Sequence, residues 1–103
     1  HLSPAFNDVY EYMGVNSFKY GGKAYKVQVN RDSSCVITPE SGSASMDLHY
    51  SPERFNTCEY TMKITKTSGS VTTSTLTPDA NGVIHAKISG NRIAKVEIIP
   101  VLG

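Results

Sequence analysis

The 103-residue sequence has no Trp, only two Cys and a net charge of +1. Each shortage narrows what the chain can be. Without a basic excess there is no footprint for releasing counterions from phosphates, so a nucleic-acid partner is not expected. The mild grouping of Lys19, Lys23 and Lys26 reads as ordinary solvated lysine. No apolar run approaches the ~20 residues that a membrane span requires. Two cysteines with no CxxC pair leave neither a thioredoxin-type site nor a zinc knuckle. Histidines at HxxxH or HxH spacing and an Asp-rich calcium loop are also missing, so no metal or other cofactor is expected. There is no Gly-x-Ser-x-Gly elbow to raise a serine nucleophile, and no phosphate-cradling glycine loop.

What is present describes one folded unit. Hydrophobic residues make up 39% and charged residues 18% of the chain. That is too apolar and too weakly charged for disorder, and the length suits a single domain able to bury its own core. No internal repeat, linker or second domain is visible. The chain opens His1-Leu2-Ser3-Pro4 with neither an initiating Met nor a signal-peptide pattern, as expected of a processed mature protein or a trimmed piece. Ser and Thr are abundant, a usage common in extracellular β domains, so a secreted or cell-surface location is expected.

Periodicity predicts β structure from Ser17 onward. Residues 1–16 form an N-terminal arm, in which Asn7 or Asp8 could cap a short helix over Val9–Met13 stopped by Gly14. Residues 17–103 form the β core. Gly21-Gly22 sits between two alternating runs and predicts a tight hairpin. After it, Tyr25, Val27 and Val29 share one face. Further strands are expected over Cys35–Thr38, Ala44–Tyr50, Thr57–Lys66, Val71–Thr77, Val83–Ser89 and Arg92–Pro100. The turn clusters between them include Pro78-Asp79-Ala80-Asn81-Gly82. In the closing strand Ala94, Val96 and Ile98 are expected inward, and the last four strands are expected to form a meander. Seven or eight short antiparallel strands at this spacing predict a mainly β fold, a sandwich or partly closed barrel, with the short N-terminal helix or irregular arm attached.

Cys35 and Cys58 each stand near the start of a predicted strand. A disulfide between them would enclose a full strand and two turns and would contribute roughly 3 kcal/mol in the chain-entropy model. The alternative is two free thiols serving as small core residues.

Titratable groups give one chemical arrangement to weigh. RNA phosphodiester cleavage needs a carboxylate base, a histidine acid and a cation for the phosphorane charge. Glu59 and His85 are placed on outward faces, where His49 or Arg92 could join them. The run Gly82-Val83-Ile84-His85, followed by Ser89-Gly90-Asn91, resembles the closing strands of small fungal guanyl-specific ribonucleases. That family has a catalytic histidine after a Gly-Val-Ile strand, and the resemblance implies that role for His85. It covers the ten residues from Gly82 to Asn91 with a spacing change. The family's catalytic arginine has no counterpart between Thr72 and Leu76, and its longer helix and terminal cysteine are missing. Outward histidines on alternating strands otherwise serve as solvated or cross-strand-paired residues.

The aromatic residues point to recognition instead. Tyr10, Tyr12, Phe18 and Tyr20 cluster near the N-terminus, and Tyr brings large contact area at low entropy cost with a polar tip. The alternative is that these rings cover one end of the core. With the loop around Glu53 and Arg54, they are the binding residues expected of a non-enzymatic domain, effector-, adhesin- or pilus-like, that meets a protein or glycan.

Overall fold

The computed structural model describes residues 15–20, 22–52 and 54–102. They form eight antiparallel strands and no helix. The strands are β1 (Val15–Tyr20), β2 (Lys23–Val29), β3 (Cys35–Pro39), β4 (Ala44–Tyr50), β5 (Tyr60–Lys66), β6 (Val71–Leu76), β7 (Ile84–Gly90) and β8 (Ile93–Pro100). The short helix expected over Val9–Met13 lies outside the described residues. No helix among them is long and apolar enough to cross a membrane.

The strands divide into a six-stranded sheet ordered β1-β2-β3-β8-β5-β6 and a two-stranded sheet of β4 and β7. Period-two alternation decides which face of each strand is buried. Tyr25, Val27 and Val29 of β2 are buried between exposed or half-buried neighbours, as are Met46, Leu48 and Tyr50 of β4 and Ile84, Ala86 and Ile88 of β7. These rows, with Cys35, Ile37, Tyr60, Met62, Val96 and Ile98, form one hydrophobic core to which both sheets contribute. The β1–β2 hairpin turns through Gly22 at φ +81°, a left-handed conformation that glycine adopts without a Cβ clash.

Two tyrosines connect the sheets through their hydroxyls. Tyr50 of β4 donates to the carbonyl of Ser33, in the β2–β3 turn, at 2.7 Å. The Tyr25 hydroxyl on β2 accepts the Ser45 N–H of β4 at 3.2 Å. A buried Tyr is stable when its polar tip finds such a partner.

Three sequence-based expectations are corrected. The last four strands are not a meander: β5 and β6 form a hairpin, but β7 leaves for the other sheet and pairs with β4, and β8 inserts between β3 and β5. Ala94 does not point inward. The β5–β8 register shifts at Thr65/Lys66, so Lys66 pairs with Ile93 and Ala94 is left exposed while Ile93 is buried at 2%. A single extra residue reverses the facing of everything beyond it.

The third correction is the disulfide: Cys35 and Cys58 are both free. Cys35 opens β3 opposite Ile98 of β8, and Ile98 stands opposite Met62 of β5. One strand therefore intervenes between β3 and β5, so a residue directly across from Cys35 on β5 lies about 9.6 Å away, more than the ~7 Å Cα separation a disulfide can bridge. Cys58 does not start β5, which begins at Tyr60. It lies in the bend before that strand and donates weakly to the Phe55 carbonyl at 3.5 Å.

Candidate functional site

One group of titratable residues meets on the solvent face of β4 and β7. Leu48 and Ala86 are a buried cross-strand pair, so the neighbouring pairs Asp47–Lys87 and His49–His85 face outward. The two imidazoles sit edge to face, with ring centroids 4.5 Å apart. Lys87 and Asp47 approach to 4.0 Å but are largely exposed, so this pair contributes little to stability. The two pairs line a shallow groove of about 270 Å³.

His85 has a further partner, Asp79. His85 Nε2 donates to Asp79 Oδ2 at 2.8 Å. Asp79 Oδ1 accepts the N–H groups of Asn81 at 2.8 Å and Val83 at 3.1 Å. This is an Asx-turn: a short carboxylate folds back on the backbone just ahead of it and shapes the Pro78–Gly82 turn. The hydrogen bond from His85, followed by those from Val83 and Asn81, holds the Asp79 carboxyl below its ordinary range.

That depression has a pH consequence. A carboxylate with a lowered folded-state pKa stabilises the fold above its unfolded value of about 3.9, and the contribution disappears as pH falls through the lower folded value. Asp79→Asn is therefore expected to be less stable than wild type at pH 6. The difference should shrink as pH drops below the ordinary carboxylate range, as read by urea denaturation across that interval. A difference that grows on acidification contradicts the assigned role.

Beside the Asx-turn lies a concavity of about 390 Å³, lined by Asn56, Thr57, Pro78, Asp79, Ala80, Asn81 and Gly82. One wall is the turn and the other is the loop leading into β5. The two are close-packed: a Cβ at Gly82 would come within 3.2 Å of the Asn56 Cβ, and Gly82 holds φ +77°. Before Asn56 the backbone is strained. Phe55 has φ +56°, a conformation costing of order 1–3 kcal/mol for a bulky residue, which the surroundings must offset. The Arg54 guanidinium stacks over the Phe55 ring, 5.1 Å from its centroid, and Arg54 is exposed.

The structure thus brings His49 and His85 together but does not bring Glu59 or Arg92 to them. Among the described residues, no hydrogen bond or ion pair joins either to a histidine. Arg92 follows Gly90, at the far end of the β4–β7 ladder from the His49–His85 pair. Glu59 precedes β5 and accepts the Val101 N–H on its carbonyl at 2.9 Å. Of the expected binding residues, Arg54 stands two positions before the groove-lining Asn56 and is not itself part of the lining. Tyr10, Tyr12 and Glu53 lie outside the described residues. Phe18 and Tyr20 fall on β1, in register with Tyr25 and Lys23. Asp79 and Asn56 are the site residues that sequence reasoning missed. The turn signal at 78–82 was visible, but not that a histidine six residues later reaches back to it.

No protein-family model, no curated protein and no solved structure matches this chain.

Proposed function

We propose that the chain is a non-enzymatic recognition domain, secreted or displayed at a cell surface, of effector, adhesin or pilus type. Its two sheets act as a β-sandwich scaffold, and the loop before β5 with the Pro78–Gly82 turn meets a protein or glycan. The observation that carries this reading is the groove between those two segments, lined by Asn56, Thr57 and the Pro78–Gly82 turn, with the strained Phe55 and the exposed Arg54 just ahead of Asn56 in the chain. Backbone strain held in place at a loop is typical of ligand clamps, and loops on a rigid scaffold are where binding residues concentrate. Asn56, Thr57, Asp79 and Asn81 offer amide, hydroxyl and carboxylate groups suited to a polar partner. The Ser- and Thr-rich composition supports the secreted location.

The test applies the chain to a panel of immobilised glycans and to intact cells. Saturable binding is expected, weakened at least about tenfold by Arg54→Glu and by Asn56→Ala and left intact by Val101→Ala, at an exposed residue outside the groove. No saturable binding to either probe, or binding that both loop variants leave unchanged, overturns the reading.

A second reading is a ribonuclease-like domain, active or catalytically dead, and the His49–His85–Asp79 contacts favour it. A carboxylate that orients one imidazole beside another is an arrangement able to accept and return a proton. RNA cleavage abolished by His85→Ala would establish the active form, and absence of cleavage would remove it.

A further inference from the structure

We propose that β6 is a self-association strand, pairing antiparallel with β6 of a second copy of this chain about a twofold axis centred on Thr73.

Among the described residues the two sheets have four edge strands, β1, β6, β4 and β7. An open edge presents unpaired N–H and C=O groups and is commonly blunted by charge, proline or a bulge. Lys19 lies on β1, Asp47 and His49 on β4, and His85 and Lys87 on β7. β6 reads Val-Thr-Thr-Ser-Thr-Leu, with no charge and no proline, and its pairing to β5 runs without a bulge. No charged residue occurs from Thr67 to Pro78. The strand also overhangs the core: Val71 to Thr75 are all exposed, on both faces, and only Leu76 packs against the core.

The direction of its free backbone groups follows from the hairpin. Lys66 N–H donates to the Ser70 carbonyl at 2.8 Å, so 66/70 is a hydrogen-bonded pair. Such pairs alternate along an antiparallel ladder. Thr72, Ser74 and Leu76 therefore bond inward to Ile64, Met62 and Tyr60, their partners in register. Val71, Thr73 and Thr75 direct their N–H and C=O groups to the open edge. Two such edges fit each other when Thr73 faces its own symmetry mate and Val71 faces Thr75. Three hydrogen-bonded pairs then form, with about six new backbone bonds.

Identity with the partner is what the composition favours. In a twofold strand pair each central side chain meets itself or a near neighbour, so any charge there meets its like. Only an uncharged strand avoids that cost, and β-branched Thr and Val make good cross-strand pairs. A six-residue edge contact is small against the 1,200–2,000 Å² typical of stable interfaces, so the dimer is weak, with Kd on the order of 10–500 µM.

Sedimentation velocity from about 5 µM to about 1 mM tests this. Wild type is expected to pass from monomer to dimer and stop there. Thr73→Glu places a carboxylate opposite Lys63 within the chain, which the monomer tolerates, but opposite itself across the axis. Thr73→Pro removes an outward N–H and leaves the β5 ladder intact. Each is expected to weaken association at least about tenfold while keeping the wild-type circular dichroism spectrum. An equimolar mixture of Thr73→Glu and Thr73→Lys chains is expected to dimerise where neither does alone. A strict monomer at about 1 mM, association that survives both Thr73→Glu and Thr73→Pro, or growth beyond two copies would each overturn the proposal.

Discussion

Ile98→Ala is expected to cost about 2–5 kcal/mol. Ile98 is 0% exposed and sits on β8, the strand flanked by β3 and β5 in the middle of the larger sheet. Its cross-strand neighbours are Cys35 on one side and Met62 on the other, both buried. Truncation leaves a cavity bounded by two strands that cannot close over it without losing register. Total stability at this size is about 5–15 kcal/mol, and each kcal/mol moves Tm by about 4–8 °C. A fall in Tm of at least about 8 °C is therefore expected, with a matching drop in the urea midpoint. Val101→Ala, at a residue 52% exposed, is the control and should stay within about 0.5 kcal/mol. Equal effects at the two sites would mean that β8 is not central to the fold.

Thiol labelling of the native protein is expected to give one adduct, at Cys58, and labelling after denaturation two. Cys35 is fully buried, and burial pushes its thiol far above the ordinary range, so the reactive thiolate is suppressed twice, by pKa and by access. Cys58 is only half-buried, in the bend before β5. Mass spectrometry after alkylation without reductant separates the outcomes: one native and two denatured adducts for free thiols, none in either state for a disulfide. A reductant should leave Tm unchanged.

The strands were legible because their signal is local. Tyr25, Val27 and Val29, or Met46, Leu48 and Tyr50, alternate with polar residues over a stretch that one strand spans, and burial follows the alternation. What alternation cannot carry is partner choice. Val83–Ser89 looks equally ready to pair with the preceding strand or with Ala44–Tyr50, and only the assembled core selects β4. Alternation alone places Ala94 inward because a bulge leaves no compositional mark: Ala94 is the unpaired extra residue of β8, and it is as apolar as Ile93 beside it. The cysteines were paired on strand-start positions alone, and β8 intervenes between those positions. The histidines were correctly placed on outward faces, yet their mutual contact depends on a pairing between strands 36 residues apart in sequence, His49 to His85. The Asp79 carboxylate was read as turn chemistry, which it is, and its second oxygen serves the histidine.

The position of β8 also governs when this molecule can become itself. A ribosome releases β1, β2 and β3 first, then β5 and β6, yet no hydrogen bond of the larger sheet joins these two groups except through the strand translated after both. Until residues 93–100 have left the exit tunnel, the three-stranded β1-β2-β3 group and the β5–β6 hairpin have no strand through which to join. Folding is thereby postponed to a late, cooperative closure, dominated by long-range contacts of the kind that make β proteins slow to fold. Before that closure the edges of β3 and β5 lack their native partner, and an unpaired edge is a template for the wrong strand.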